Sequence, residues 1–187
     1  MNGALAIISI AAILLSRPSA ALATPLRVCE QQMVRAAQAS GIPLHVLYSI
    51  GLTETGAKGV LAPFAMNIDG AAIHSNSLAD ALAKLEQAQM RGAKYIDVGC
   101  MQINLRFHGA NFVSPAEMFD PRKNVDYAAG FLKKLREREG SWTLAVARYN
   151  AGPNNASGQK RYVCSVVANI VSSGFGSWTD SAKEFCR

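Results

Sequence analysis

Charge is sparse in this chain: of 187 residues, 17% are Asp, Glu, Lys or Arg, while 50% are apolar. That balance excludes a disordered chain, and the length is enough to bury a core in one domain. No C-x-x-C pair occurs, which argues against a zinc site or a thioredoxin-like redox centre. His45, His74 and His108 lack the close spacing of a metal cluster, and each reads as a surface or internally satisfied side chain. No internal repeat, low-complexity linker or domain boundary interrupts the chain. Lys133, Lys134, Arg136 and Arg138 alternate with Glu137 and Glu139 opposite an apolar stripe. This is the pattern of a solvated helix face rather than a nucleic-acid patch.

Only one apolar run is long. It extends from Ala4 to Leu15 and is followed by Ala21-Leu22-Ala23, a small-x-small site. Residues 1–23 therefore read as a secretory signal peptide cleaved after Ala23, with one domain over 24–187. The leader has no Lys or Arg before its apolar run, and an uncleaved anchor is the alternative. The run is short for that, since a span needs about 20 residues. Cleavage would free the domain from the membrane. It removes Arg17 and no acid, lowering the formal charge from +6 to +5. A mildly basic exported protein suits an anionic polymer such as a cell wall, although the same charge also serves solubility. Four cysteines, Cys29, Cys100, Cys164 and Cys186, suggest two disulfides in an exported chain, with three connectivities open. Cys29–Cys100 and Cys164–Cys186 are the favoured pairs; spacing alone does not decide between them.

The periodicity predicts a mostly helical fold, α+β in class, with a small sheet inserted after the second helix. Residues 29–40 form a first helix ended by Gly41. Ile68-Asp69-Gly70-Ala71 signals a hairpin. Ser77 caps a helix running to about Arg91. Tyr95 to Val98 could add a third strand. Ser114-Pro115-Ala116-Glu117 has capping-box spacing. Later helices start at Asp120-Pro121, at Ser141 and at about Gln159, the last reaching Ser173.

The second helix carries the most informative residue. Gly41-Ile42-Pro43 reads as its start, and Gly56 can close it. Leu47, Ile50, Gly51 and Glu54 then share one face. A carboxylate ending an apolar face is partly desolvated, which raises its pKa and lets it hold a proton near neutrality. Two further stretches look unlike core or ordinary loop. Gly99-Cys100-Met101-Gln102-Ile103-Asn104 sets two amides among apolar residues. Arg148-Tyr149-Asn150-Ala151-Gly152 ends a helix with a ring and an amide. Such groups suit a neutral polar ligand such as a sugar.

Glu54-Thr55, Gly99 to Ile103, Arg148 to Gly152 and Tyr162-Val163, in that order, resemble the motifs of the soluble-type lytic transglycosylases, relatives of goose-type lysozyme. The resemblance runs over about residues 29–172 and is closest to a small, single-domain exported branch. It implies a lysozyme-like fold and peptidoglycan glycan strands as substrate. It further implies a periplasmic location and no metal or cofactor. Thr55, Cys100 and Arg148 stand where the family usually has Ser, Leu and Ala, and Arg148, beside Tyr149, could alter how the glycan is gripped. By the resemblance, Glu54 is both acid and base, and Thr55 orients it or the substrate. Met101, Gln102 and Asn104 line the groove. Tyr149, Asn150 and Tyr162 hold the muramic acid and position Glu54. The chain reads as a monomer that components of a flagellar, pilus or secretion apparatus could deliver to the wall.

Two rival functions stay open. A lysozyme-like muramidase would use the same groove but deliver water, and a non-enzymatic wall-binding protein would keep the groove without needing Glu54. Asp69 and Asp97 lie near the motifs but inside none. The expectation is therefore a groove with one acid, unless either aspartate swings in.

Overall fold

The computed structural model describes residues 27–55 and 61–187. The expected leader at 1–23, the domain start at 24 and Gly56 as a helix terminator lie outside the described residues. Among the described residues no helix is long and apolar enough to cross a membrane.

Apolar stripes at helical spacing dictate the core. The longest helix, α6 (Pro121–Glu139), buries Val125, Ala128, Ala129, Leu132 and Leu135. It has proline in its first turn, Asp120 accepting from the Lys123 amide, and Gly140 at φ 78° beyond its end. Those are the start and stop chemistries a helix of this length needs. Around it pack α1 (Val28–Ser40) and α7 (Trp142–Asn150), while α2 (Leu44–Thr55) packs on α1 and on α8 (Ala156–Ser172). Leu47 and Ile50 of α2 are fully buried, as are Met33 and Cys29 of α1. Gly51 makes this approach tight: a Cβ there would lie 2.3 Å from the Met33 methyl.

The inserted sheet has four short antiparallel strands in the order β2-β1-β3-β4. They are β1 (Met66–Ile68), β2 (Ala71–Ile73), β3 (Ile96–Val98) and β4 (Ile103–Asn104). Asp69 and Gly70 make the β1–β2 turn with φ of 48° and 93°. Positive φ at both central residues is what a two-residue hairpin requires. The Asp69 carboxylate accepts from the Tyr95 amide at 2.8 Å and the Lys94 amide at 3.1 Å. It ties the hairpin tip to the entry of β3. Helix α3 (Leu78–Met90) lies between β2 and β3 in sequence, capped by Ser77.

Four short elements were not foreseen. Strand β4 has two residues and the following α4 (Leu105–His108) has four, too short for any hydrophobic period to register. Helix α9 (Asp180–Cys186) buries nothing, so it has no apolar stripe to read. Helix α8 begins at Ala156 rather than Gln159 because Asn155 accepts from the Gly158 amide at 3.0 Å. The fourth is a single 3-10 turn over Gly109–Asn111, and short α5 (Pro115–Phe119) completes the element list.

The disulfides join Cys29 to Cys100 and Cys164 to Cys186. The first ties α1 to the β3–β4 connection, and the second holds α9 to α8. Their sequence separations are 71 and 22. On chain entropy alone, alanine at both positions should cost about 4 kcal/mol for the first pair and about 3 kcal/mol for the second. Urea unfolding midpoints of the two double variants give the order, and a reversed order would show that packing outweighs loop closure.

Candidate active site

Glu54 ends α2 on the face that Leu47, Ile50 and Gly51 occupy. It is half-buried and lines two adjoining cavities, one of about 330 Å³ and one of about 230 Å³. Gln102 lines both as well. The two hollows thus form one cleft, with the acid at their junction. Tyr162 of α8 donates its hydroxyl to Glu54 Oε1 at 2.5 Å. Two turns further along α8, the Asn169 amide donates to the Thr53 hydroxyl at 2.9 Å. These two bonds clamp the end of α2 to α8.

Loss of hydration dominates the electrostatics. Burial pushes the Glu54 pKa up to about 7. The hydrogen bonds from Tyr162 and Asn150 favour the ionised form and oppose this shift, while the charge of Asp97 adds to it. Asp97 is also raised by burial, against the hydrogen bond it accepts from Asn104. Tyr149 and Tyr162 are pushed well above the usual phenol range, first by burial and then by the charge of Glu54. Both therefore act as neutral donors at any physiological pH.

The Gly99–Asn104 stretch is held by a residue that the sequence did not single out. Asn124 of α6 is fully buried. Its Oδ1 accepts from the Met101 amide at 2.8 Å, and its Nδ2 donates to the Val98 and Met118 carbonyls at 3.0 and 2.8 Å. Gly99 has φ 80°, and a Cβ there would lie 2.4 Å from Asn124 Nδ2. Only glycine permits that approach. Gln102 takes φ 45° without being glycine, a conformation that costs about 1 kcal/mol or more. Its Nε2 donates to the Ala65 carbonyl at 3.1 Å and the Gly99 carbonyl at 3.0 Å. Both amide hydrogens are thereby used, which leaves its amide oxygen as the polar group it can offer to the cleft.

The expected site residues separate into three groups. Glu54, Gln102, Asn104, Tyr149 and Asn150 meet around the larger cavity. Thr55 lines the smaller one, but its hydroxyl donates to the Gly51 carbonyl at 3.1 Å, with Cys100 O at 3.4 Å. It turns toward backbone rather than toward Glu54. Met101 is fully buried and Tyr162 nearly so, and neither lines either cavity. Met101 contributes its backbone instead: its carbonyl accepts from the Tyr149 hydroxyl at 3.1 Å. Arg148 faces away from the cleft to Glu139, 3.4 Å distant, so this departure from the family pattern does not touch the groove.

The expectation of a single acid needs correcting. Asp97 lines the larger cavity together with Glu54. It sits on β3 directly opposite Asn104 of β4, whose Nδ2 donates to Asp97 Oδ1 at 2.7 Å. His108, also in that cavity, bonds through Nδ1 to the Tyr127 hydroxyl at 2.8 Å. Asp69 stays in its hairpin turn and lines neither cavity. The alternation of Ile96, Asp97 and Val98 was a usable signal, because two buried strand residues force the one between them onto the opposite, cleft-facing side. Among the described residues no group of His, Cys, Asp or Glu is placed to hold a metal ion.

Among models of known families, the one described as the transglycosylase SLT domain matches residues 33–169. That span holds every residue of the cleft. No curated protein and no solved structure matches the chain.

Two outcomes test the site. A carboxyl whose pKa rises from 4.5 to about 7 on folding holds its proton more tightly in the folded state. Its contribution to stability is complete below about pH 4.5 and is lost as pH climbs through about 7. Glu54→Gln removes that loss, so the variant should match the parent near pH 4 and exceed it at pH 8.5 by on the order of 1–3 kcal/mol. Parallel stability–pH curves would show that Glu54 titrates as a solvated acid. Asn124→Leu keeps the branched shape, adds bulk, and strands one amide and two carbonyls, and should cost roughly 3 kcal/mol or more in urea unfolding.

Proposed function

The chain belongs to the transglycosylase SLT domain family, and we propose that it cleaves the β-1,4 bond between N-acetylmuramic acid and N-acetylglucosamine with closure of a 1,6-anhydro ring. Peptidoglycan is the substrate class of that family. The observation that carries the finer reading is the half-buried Glu54 carboxyl, bonded to Tyr162 and shifted to about 7. At neutral pH about half of such groups are protonated, which suits one residue that must serve as acid and then as base.

In this reading the glycan lies along the cleft with the scissile bond at Glu54. The acid gives its proton to the bridging oxygen, and the C1–O bond breaks. The N-acetyl group of the same sugar stabilises the cation that forms. Glu54, now ionised, takes the proton of the 6-hydroxyl, and that oxygen bonds to C1. The carboxyl ends protonated as it began, and no water is consumed. Proximity favours the 6-hydroxyl of a tightly held ring over water. Tyr162 steadies the carboxylate between the two transfers. Asn150, Asn104 and the amide oxygen of Gln102 bind sugar hydroxyls and the N-acetyl group. Tyr149 offers its ring.

A second reading draws on Asp97. A muramidase of the inverting kind uses a second carboxylate to activate water, and Asp97 lines the same cavity as Glu54. Its bond to Asn104 and its raised pKa favour a binding role over a base, which leaves the transglycosylase reading ahead. The domain would act in the periplasm after export, at sites to which an envelope-spanning apparatus brings it.

Digestion of purified wall tests both. The transglycosylase reading expects muropeptides lighter by one water and resistant to borohydride. Glu54→Gln should lower turnover by at least about a thousandfold, since general acid catalysis alone is worth 10²–10⁴. Asp97→Asn should leave the anhydro product as the product. Reducible ends throughout, abolished by Asp97→Asn, would establish the muramidase instead.

A further inference from the structure

Tyr95 and Phe107 stand at the mouth of the larger cavity, beyond the groups that the reaction uses. Both line it, yet they remain 48% and 65% exposed. Their ring centroids are 6.2 Å apart. Two neighbouring large rings left in water are unfavourable unless something covers them. The Arg106 guanidinium lies over both, 5.6 Å from the Tyr95 centroid and 5.9 Å from that of Phe107. Stacking holds the cation in place and costs it little hydration.

Among the described residues no carboxylate forms an ion pair with the Arg106 guanidinium or the Lys94 ammonium; Asp69 bonds Lys94 only through its backbone amide. The two cations line a separate hollow of about 260 Å³, which adjoins the rings through Arg106. Arg106 thus joins the polar, sugar-sized cavity and its two exposed rings to a hollow with two cations. A sugar ring needs the first region only. The remainder fits a chain that leaves the sugar, crosses apolar surface and carries anionic groups.

We propose that this rim and hollow bind the peptide stem of the glycan, with the stem carboxylates on Arg106 and Lys94. This deepens the peptidoglycan reading of the site and rests on it. Muramic acid bears its stem on a lactyl ether that points off the ring, and stems carry free carboxylates. The enzyme therefore selects peptide-bearing strands over stripped ones. Arg106 acts through charge and through its planar stacking, so lysine replaces it only in part.

The test compares cleavage of two substrates: peptide-bearing glycan strands and the same strands stripped of stems by an amidase. The readout is the ratio of their kcat/KM values for the parent protein, Arg106→Gln and Arg106→Lys. The parent should favour peptide-bearing strands by about tenfold, in keeping with one or two charge-assisted contacts. Arg106→Gln should reduce that ratio about three- to tenfold, chiefly through KM, with Arg106→Lys between them. Raising salt should compress the parent's ratio. A parent that cuts both strands equally, or a ratio unmoved by Arg106→Gln, overturns the assignment. A parent that cuts neither overturns the peptidoglycan reading and this one with it, so the two failures are told apart.

Discussion

A carboxyl group deprived of water at the end of α2 is the constraint on which the rest of this molecule turns. Left alone, a buried acid would take up a proton and keep it. The Tyr162 hydroxyl at 2.5 Å offsets part of that penalty by favouring the ionised form, and the result lies near neutrality. Reaching across from α8 requires α2 and α8 to be locked together. The Asn169–Thr53 bond and the buried Leu47, Ile50, Val163 and Val166 meet that requirement. The helical core is in this sense a frame for one proton.

The sheet faces the same acid from the other side. Asn124 reaches from α6 and fixes the β3–β4 connection with three hydrogen bonds. The Cys29–Cys100 disulfide fixes the same connection to α1. So anchored, the segment can hold Gln102 in a left-handed conformation that would relax in a looser setting. Such stored strain is characteristic of groups placed for function. Asp97 and Asn104 face each other across the last pair of strands, which sets a second carboxylate in the cleft but engages it in a hydrogen bond. Two acids in one cavity thus have different environments: one is poised near neutrality and the other is tied to an amide.

Much of this was legible in the sequence, and the reasons are specific. Glu54 showed itself because Leu47, Ile50 and Gly51 share its helical face. The hairpin showed itself through Asp69-Gly70, and α6 through Val125 to Leu135. Asn124 gave no signal, since an asparagine in an apolar stripe reads as a flaw until its partners 6 to 26 residues away in sequence are seen. Asp97 was noticed but set aside, because it precedes its motif by two residues. Strand alternation would have turned it into the cleft. Met101 failed in the other direction. It lies within a binding motif, yet its side chain fills the core against Gly51, and only its backbone serves the site. Exposed Tyr95 and Phe107 carry no signal in the sequence, because only the fold sets them side by side.

The account stands on the protonation of Glu54 in the free protein. Selective carbon labelling of glutamate, with Glu54→Gln to assign the resonance, lets the carboxyl shift be followed by NMR from pH 3 to 10. A midpoint near 7, well above the 4.5 of a solvated glutamate, is the expected result. A midpoint at 4.5 or below would contradict the account, because Glu54 would then carry no proton to give at neutral pH.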